Sequence, residues 1–540
     1  MSRPVDLHAE ARAWIDDDPD PLTRAELRGV LAAGDDGALA ERFAGRLRFG
    51  TAGLRGELRA GPMGMNRVVV GLAAGGLAAY LSRRGAVGPV VIGYDARHRS
   101  ARFARDTAEI IAGAGLDARL FPRALPTPVL AFAVRSMGAS AGVMVTASHN
   151  PPRDNGYKVY LGGDMSDCAA GGGAQIVPPA DADIEAATLA IPRLAGLPRA
   201  ATWMPVSDRV ADDYVAATAA LPRGDARDLT VAYTPLHGVG ADVVRSVFTA
   251  AGFPAPHVVA EQAAPDPDFP TVPFPNPEEP GALDLALALA ERVGADIVIA
   301  NDPDADRCAV ACRGRALTGD QLGALLADHL IRTGTTGRYA TTIVSSSLLG
   351  AICAERGLPY AETLTGFKWI VRAGDDVSFG YEEALGYCCA PDQVRDKDGI
   401  SAAILVADLA ATLKAAGQTL LDRLDEISRR YGVHASAQLS IRVTDLREIA
   451  TMMRRLRADP PSTLAGHPVS TVDDLLPETD AVRLRAGPIR VVVRPSGTEP
   501  KLKAYLQVIE PVTGPVHEAE ARAARRLDVT RDELARALAP

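Results

Sequence analysis

Three aspartates alternate in the segment NDPDADR, directly after the apolar run IVIA that ends at Ala300. They are Asp302, Asp304 and Asp306. Carboxylates this close repel one another unless a cation lies among them. Their oxygen-only donor set favours a hard ion, Mg²⁺ first and Mn²⁺ second. An acidic helix cap or turn is the alternative interpretation, because a helix dipole also favours carboxylates.

A serine and a histidine, Ser148 and His149, follow a second apolar run in the stretch VTASHNPPRDNGYKVY (145–160). Side chains at the carboxyl edge of a parallel sheet lie where α/β proteins bind their ligands. Ser148 is therefore a candidate nucleophile or phosphate carrier. A turn or cap serine is the competing interpretation, since Ser-His-Asn-Pro is typical of turns.

A third polar segment, VVVRPSGTEPK (491–501), also follows an apolar run and combines two cations with two hydroxyls and a glycine. Backbone N–H groups, hydroxyls and cations in one loop can form a phosphate cradle. A plain turn is the alternative. The candidate residues of this segment are Arg494, Ser496, Gly497, Thr498 and Lys501.

The segment FGYEEALGY (379–387) follows a short predicted strand and places Glu382 and Glu383 in a glycine-bounded loop. Paired carboxylates accept hydrogen bonds from sugar hydroxyls, although most Glu-Glu pairs simply face solvent. Lys368, Arg395 and Lys397 lie in the same part of the chain, as phosphate contacts or as ordinary surface charge.

Strands alternate with helices through most of the chain, which predicts α/β layers. Predicted strands include Pro89–Asp95, Leu229–Thr234 and 341–346, and a helix closes the chain at Val516–Leu538. We predict three related α/β domains (1–205, 206–318 and 319–431) with mixed sheets, followed by a smaller α+β domain (432–540). The Gly-rich stretch 49–67 and the Pro-rich stretch 264–280 are predicted to be loops, the latter a long loop on the surface.

Composition limits the function classes. At roughly 150 residues per domain, 540 residues suggest about three or four domains. Hydrophobic residues make up 47% and charged residues 23%, which excludes a chain that is disordered throughout. The net charge of −9 argues against broad nucleic-acid binding but is compatible with an anionic substrate.

The longest apolar stretch, Val68–Leu81, is shorter than the ~20 residues of a membrane span, and six scattered cysteines fit a reducing compartment. We therefore expect a cytoplasmic protein, and we infer no membrane, nucleic-acid or protein partner.

Taken in order, TASHNP, the DxDxDR loop, the G-x-E-E loop and RPSGTEP resemble the α-D-phosphohexomutase superfamily of phosphoglucomutases and phosphomannomutases. The resemblance extends from about Phe49 to Lys501. It implies four domains around a central cleft and a mutase that moves a phosphoryl group between the C1 and C6 (or C5) hydroxyls of a sugar phosphate. It also implies a phosphoserine, a sugar bisphosphate intermediate, and a sugar bisphosphate as activator.

The resemblance implies roles for individual residues. Ser148 corresponds to the phosphoserine, and one Mg²⁺ per chain would be held by Ser148 and the three aspartates. Arg307 would lie beside the phosphate, while Lys158 and His149 match positions near proton transfer. Arg55 matches an arginine that faces the cleft. The residues that would contact substrate are Glu382, Glu383, Lys368, Lys397, Arg494, Ser496, Gly497 and Thr498.

Two positions depart from the common pattern. Ala384 stands where the sugar loop usually has serine, and Pro303 stands where the metal loop often has glycine. With NGYKVY, PNPEEPG and GYEEALGY, these variants resemble the branch that includes phosphopentomutases, glucose-1,6-bisphosphate synthases and some bacterial phosphoglucomutases. The resemblance therefore leaves glucose, mannose and pentose phosphates as substrates, with bisphosphate synthesis as an alternative reaction.

Overall fold

The computed structural model describes residues 6–50, 53–443, 445–496 and 501–539. The chain forms two compact units, and each is described by itself. The first consists of Met1–Ala316 with Gly386–Thr412, and the second of Leu317–Leu385 with Leu413–Pro540. The four domain boundaries drawn from the sequence stay a prediction.

Three short helices begin the first unit: α1 (Leu7–Asp17), α2 (Pro21–Ala33) and α3 (Asp36–Phe43). The acidic DDDPDP segment separates the first two. Asp20 caps α2 by accepting a hydrogen bond from the Leu22 N–H at 3.0 Å, and Pro21 begins the helix. Proline suits this position because its missing N–H has no partner in the first turn of a helix.

A seven-stranded mixed sheet follows, formed by β1 (Leu54–Glu57), β2 (Val90–Tyr94), β3 (Ala118–Leu120), β4 (Ala141–Val145), β5 (Asp154–Leu161), β6 (Ala174–Gln175) and β7 (Met204–Pro205). The strand order is β1-β5-β4-β2-β3-β7, and β6 pairs with β5. The helices of this segment are α4 (Arg67–Arg83), α5 (Ser100–Gly113), α6 (Thr127–Ser136), α7 (Ala180–Leu189) and α8 (Arg209–Ala219).

Strand β1 corrects the prediction that 49–67 is a loop. It pairs antiparallel with β5, with Leu54 opposite Tyr157. The strand has only four residues, LRGE, so it shows no apolar alternation that a sequence pattern could reveal.

A five-stranded sheet in the order β12-β11-β10-β8-β9 completes the main framework of the first unit. Its strands are β8 (Val231–Thr234), β9 (His257–Val258), β10 (Ile297–Ala300), β11 (Ala309–Cys312) and β12 (Arg315–Ala316), with helices α9 (Ala241–Ala250) and α10 (Asp284–Val293). Strands β8 and β10 run parallel, and both are buried.

The Pro-rich stretch 264–280 lacks helix and strand, as predicted, but it is not wholly a surface loop. Phe269 and Val272 are buried and pack with Leu236, which follows β8. The prediction went wrong because apolar residues spaced among prolines have no periodicity that indicates burial.

The second unit begins with α11 (Gly319–Arg332), β13 (Arg338–Thr342), α12 (Leu348–Arg356), β14 (Tyr360–Thr363), α13 (Phe367–Ile370) and β15 (Val377–Glu382). Strand β13 pairs in parallel with β14 and β15. The predicted strand 341–346 is placed too late, since Ile343–Ser346 form a turn. The Ser345 N–H donates to the Thr342 carbonyl at 3.1 Å, and the two hydroxyls lie 2.9 Å apart.

The chain contributes β16 (Gly386–Cys388) and most of α14 (Gly399–Ala415) to the first unit before it returns to the second. The remaining elements are α15 (Leu420–Tyr431), β17 (Val433–Arg442), α16 (Leu446–Ala458), β18 (Thr463–Leu464), β19 (His467–Pro468), β20 (Thr471–Asp474), β21 (Val482–Ala486), β22 (Ile489–Pro495), β23 (Lys501–Glu510) and α17 (Val516–Leu538). An antiparallel sheet in the order β17-β23-β22-β21-β20 shares an apolar core with α16 and α17.

Among the described residues, no single helix is long and apolar enough to cross a membrane, although α14 and α15 together pass that test by length and composition.

Candidate active site

Ser148 lies in the loop that follows β4 and has a left-handed backbone conformation, with φ of 52°. Its side chain is buried, and Oγ donates a hydrogen bond to Oδ2 of Asp302 at 2.5 Å. The Nδ1 atom of His149 lies 3.2 Å from the same Oγ. Non-glycine residues with positive φ are uncommon and occur often at functional sites. The loop therefore presents the serine hydroxyl to a carboxylate of the loop that follows β10.

The three aspartates lie in the loop that follows β10, and all three are buried. One carboxylate oxygen from each lies within 4.8 Å of the others. The loop turns tightly at Ala305, whose φ is 54° and whose N–H donates to the Asp302 carbonyl at 2.8 Å. This turn lets alternate side chains converge instead of pointing to opposite sides, as they would in a strand.

Two lysines compensate part of this negative charge. Lys158, buried on β5, donates from Nζ to Asp304 Oδ2 at 2.8 Å and to Asp306 Oδ2 at 2.7 Å. Lys397 Nζ lies 3.1 Å from the same Asp306 oxygen. Thr127, at the start of α6, donates from Oγ1 to Asp304 Oδ2 at 2.6 Å.

Burial and these neighbours shift the pKa values of Asp302 and Asp306 in opposite directions. Burial, together with the charges of Asp304 and Asp306, raises the pKa of Asp302 well above its ordinary value. Burial alone would raise the pKa of Asp306 as well, but Lys158, Lys397 and Arg307 hold it below its ordinary value. Burial and the nearby arginines lower the pKa of His149 well below its ordinary value, which favours the neutral imidazole.

The cluster fits a divalent cation with oxygen ligands. The Oδ1 atoms of Asp304 and Asp306 are buried, and among the described residues neither has a hydrogen-bond partner. A buried carboxylate oxygen without a partner carries a large desolvation cost, and a bound cation removes that cost. Converging carboxylates and a hydroxyl are the donor set that Mg²⁺ prefers.

Two arginines border the cluster. Arg55, on β1, donates from Nη1 to Oδ1 of Asn150 at 3.2 Å, in the Ser148 loop. The backbone N–H of Arg307 donates to Oδ1 of Asp302 at 3.0 Å, and its Nη1 lies 3.4 Å from Oε2 of Glu278. The structure thus brings Arg55 and Arg307 to the loops that carry Ser148 and Asp302.

The second unit holds the other group of predicted residues. Glu382 is the last residue of β15, and not a loop residue as the sequence predicted. Glu383 follows it, and its Oε2 accepts hydrogen bonds from Ser345 Oγ at 3.1 Å and Thr342 Oγ1 at 3.4 Å. Lys368 lies in the short helix α13.

Arg494 lies on β22, and Ser496 follows the strand, with its N–H donating to the Lys501 carbonyl at 2.9 Å. Burial raises the pKa of Tyr505 on β23, the charge of Glu383 raises it further, and a hydrogen bond from Arg494 lowers it in part. Arg494 and Glu383 are therefore neighbours of one buried tyrosine. Gly497 and Thr498 lie outside the described residues.

The structure gives Lys397 a contact that the sequence interpretation, which grouped it with Lys368 and Arg395, did not predict. Lys397 lies beside Asp306 in the first unit, whereas Lys368 belongs to the second. The sequence analysis also missed Arg97, Thr127 and Tyr505. The sequence could have indicated Arg97, because it follows the predicted strand PVVIGYD at the same sheet edge as Ser148. No sequence pattern indicates Thr127 or Tyr505.

Three family models match the chain in succession. They describe phosphoglucomutase/phosphomannomutase alpha/beta/alpha domains I, II and III, and they match residues 46–191, 212–315 and 318–431. These matches confirm the predicted fold class of three related α/β domains, and the β17–β23 sheet with its helices forms the smaller C-terminal part.

Individual relatives match over most of the chain. The protein named probable phosphomannomutase of Haemophilus influenzae is 50% identical over 459 residues, which cover 82% of this chain and 93% of that protein. The human phosphopentomutase is 34% identical, with 94% of this chain and 92% of that protein covered. The crystal structure of a candidate phosphomannomutase from Thermus thermophilus matches with a TM-score of 0.70 and 27% identity, covering 90% of this chain and 99% of that one.

Proposed function

The chain belongs to the phosphoglucomutase/phosphomannomutase family of intramolecular phosphotransferases, and we propose that it transfers the phosphoryl group through a phosphoserine at Ser148. One observation carries this proposal: the buried Ser148 hydroxyl lies 2.5 Å from Asp302, in a cluster that includes Lys158, Asp304 and Asp306. A serine held for turn geometry alone has no need of three carboxylates and a lysine from other elements.

The reaction consists of two transfers. The phosphoryl group leaves Ser148 Oγ and bonds to a free hydroxyl oxygen of a sugar monophosphate; a protein base takes the proton of that hydroxyl, and Oγ takes up a proton to become a hydroxyl again. The resulting sugar bisphosphate reorients, and its other phosphoryl group returns to Oγ, which loses its proton as one is given back to the sugar oxygen. Phosphoryl transfer of this kind depends mainly on positioning and charge neutralisation.

Asp302, Asp304 and Asp306, together with Ser148, would hold one Mg²⁺, as the partnerless Oδ1 atoms of Asp304 and Asp306 support. When bound, the ion supplies charge neutralisation for the transferring phosphoryl group. Lys158 supplies a fixed positive charge beside the same carboxylates, and Arg307, the residue directly after Asp306, supplies another.

His149 and Lys158 are the two candidates for the proton carrier. His149 is favoured by its distance of 3.2 Å from Ser148 Oγ and by burial that keeps the imidazole neutral and able to accept a proton. Lys158 is favoured by its place between Asp304 and Asp306, which keeps the ammonium charged and able to donate.

The residues of the second unit would bind the substrate. Glu382 and Glu383 offer carboxylate oxygens to sugar hydroxyls, while Arg494 and the loop after it, with Ser496, Gly497 and Thr498, would hold the phosphate that does not react. Lys368 adds a further cation for that phosphate. Lys397 is a weaker candidate for substrate contact, because its ammonium group already lies beside Asp306.

A hexose phosphate is the first candidate substrate, supported by the 50% identity to the Haemophilus influenzae protein named for mannose phosphate. A pentose phosphate is the second, supported by the human phosphopentomutase and by Ala384 in place of a sugar-binding serine. Bisphosphate synthesis is the third. Activation by a trace of sugar bisphosphate and a cytoplasmic location belong to the same proposal.

Replacement of the nucleophile tests the proposal. Ser148→Ala should abolish mutase turnover, whereas Ser246→Ala, which removes an exposed hydroxyl on α9, should leave it unchanged. Near-normal turnover of Ser148→Ala contradicts a phosphoserine at this position.

A substrate panel then separates the candidate reactions. We would compare kcat/KM for glucose-, mannose-, ribose- and deoxyribose-1-phosphate with Mg²⁺ and a trace of sugar bisphosphate. A hexose preference supports the first candidate and a pentose preference the second. Net formation of bisphosphate from an acyl-phosphate donor would identify a synthase.

A further inference from the structure

The Pro-rich stretch 264–280 contacts Arg97 and His98, in the segment that follows β2. The ring of Phe269, which is 2% exposed, lies under the guanidinium group of Arg97, with 4.9 Å between the Arg97 Cζ atom and the ring centroid. A second contact joins the same two segments, because His98 Nε2 lies 2.7 Å from Asp268 Oδ1. The stretch therefore supports the segment that follows β2.

Arg97 in turn holds the backbone of the Ser148 loop. Its Nη2 donates to the carbonyls of Ser148 at 2.6 Å and Asn150 at 2.5 Å. Its Nη1 donates to the carbonyls of Pro151 at 2.8 Å and Asp154 at 3.2 Å. The loop contains neither helix nor strand between Thr146 and Arg153, and one buried guanidinium joins three of its carbonyls to that of Asp154, the first residue of β5.

A second set of hydrogen bonds holds the other side of the loop. The Ser148 N–H donates to Thr146 Oγ1 at 2.8 Å, and this hydroxyl donates to Asp95 Oδ2 at 2.6 Å. Asp95 Oδ2 also lies 3.5 Å from Nε of Arg97. Together these contacts offset the cost of the left-handed conformation at Ser148, where φ is 52°.

We infer that Arg97, supported by the ring of Phe269, is a positioning residue that fixes the Ser148 loop in the conformation from which Oγ reaches Asp302. Only a planar guanidinium has terminal N–H groups arranged to reach four carbonyls, so lysine is no substitute. The aromatic face under the buried cation stabilises it and fixes its plane. The Pro-rich loop is then part of the catalytic apparatus rather than a simple connection. The inference rests on the proposed role of Ser148.

The effect should appear in kcat. A displaced nucleophile slows transfer even when substrate still binds, and a displacement of ~1 Å can cost about 100-fold in rate. We expect Arg97→Lys to lower kcat about 100-fold and Phe269→Leu about tenfold, with KM for the sugar phosphate within about twofold of the wild-type value. Phe269→Tyr keeps a ring face under the cation and should retain most of the activity.

The chain contains a matched control at a different place. Arg227 donates to the carbonyls of Ala251, Gly224 and Ala226, and Phe253 stacks under it at 4.6 Å. Phe253 is 5% exposed, nearly as buried as Phe269. Arg227 precedes β8 and therefore lies at the amino end of the strand, opposite the edge that carries the acidic loop. Arg227→Lys and Phe253→Leu should cost comparable stability and leave kcat within about twofold.

The experiment measures kcat, KM and the thermal unfolding midpoint for both pairs of variants, for Phe269→Tyr and for Ser148→Ala. A loss of kcat confined to Arg97→Lys and Phe269→Leu supports the inference. An equal loss in the Arg227 and Phe253 variants, a rise in KM instead of a fall in kcat, or a Phe269→Tyr variant as impaired as Phe269→Leu overturns it. If Arg97→Lys does not fold, the comparison of Leu and Tyr at position 269 decides. Turnover by Ser148→Ala would overturn the proposed function itself, whereas an inactive Ser148→Ala beside a fully active Phe269→Leu overturns only the positioning role.

Discussion

Lys158 compensates two buried carboxylates, so its removal should destabilise the first unit in a way that Mg²⁺ reverses. Its Nζ lies 2.8 Å from Asp304 and 2.7 Å from Asp306. Removing one partner of a buried ion pair costs about 3–5 kcal/mol, because the remaining charge stays buried without compensation. Lys397 still lies 3.1 Å from Asp306, which places Lys158→Met at the lower end, about 3 kcal/mol. In EDTA the unfolding midpoint should therefore fall by roughly 5 °C in a unit of this size.

Mg²⁺ should reduce the difference in unfolding midpoint between Lys158→Met and the wild type. At a concentration of about 100 times its Kd, a ligand that binds only the folded state adds about 2.7 kcal/mol to the free energy of unfolding. The ammonium group of Lys158 and the metal ion compete for the same carboxylates, so the variant should bind Mg²⁺ more tightly than the wild type and gain more from it.

The assay is thermal unfolding in EDTA and in saturating Mg²⁺, together with Mg²⁺ binding by calorimetry. Arg423→Met is the matched control, because Arg423 forms an ion pair with Asp328 at 2.7 Å in the second unit, whereas the three aspartates belong to the first. Its loss of stability should be the same with and without the ion. A Lys158→Met variant whose deficit is equally large in Mg²⁺ would refute the reasoning that lysine and metal share these carboxylates.

Three further predictions concern single residues. Asp304→Asn removes one charge from the cluster and should raise the Mg²⁺ concentration for half-maximal activity at least about tenfold; an unchanged requirement would exclude Asp304 as a ligand. Arg494→Ala should raise KM about 10- to 100-fold with a smaller change in kcat, since a hydrogen bond to a charged group contributes about 1.5–3 kcal/mol, and an unaltered KM would exclude a phosphate contact. Burial lowers the pKa of His434, on β17, to about 4. The neutral imidazole therefore contributes fully to the free energy of unfolding above pH 6.5, and about 3 kcal/mol of that free energy is lost as the pH falls from 6.5 towards 4. His434→Asn should flatten this pH dependence in urea unfolding curves, and a curve as steep as that of the wild type would show that another group titrates.

Helices and strands that contain a continuous apolar run could be predicted from the sequence. The predicted strand Pro89–Asp95 is found at Val90–Tyr94, and the helix Val516–Leu538 has the predicted bounds. The same runs show where a strand ends, and this places Ser148 and the three aspartates at carboxyl edges of sheets. For this reason residue types and spacing were sufficient to indicate the cluster before any contact was known.

Contacts between segments that are distant in the chain could not be predicted from the sequence. Lys397 meets Asp306, and Phe269 meets Arg97, through tertiary packing that leaves no local pattern in either segment. Strand β1 exists because β5 offers it a hydrogen-bonding edge, and its own four residues carry no strand signal. Propensity and periodicity describe a segment by itself, whereas these features depend on the segment it meets.

The central claim is that Ser148 carries the phosphoryl group. The most direct measurement is to incubate the protein with ³²P-labelled sugar bisphosphate and Mg²⁺, and to locate the label by peptide mapping in the wild type and in Ser148→Ala. The account predicts one labelled peptide that contains Ser148, loss of the label when unlabelled sugar monophosphate is added, and no label in Ser148→Ala. A label on another residue, or normal turnover without a labelled protein, would contradict it.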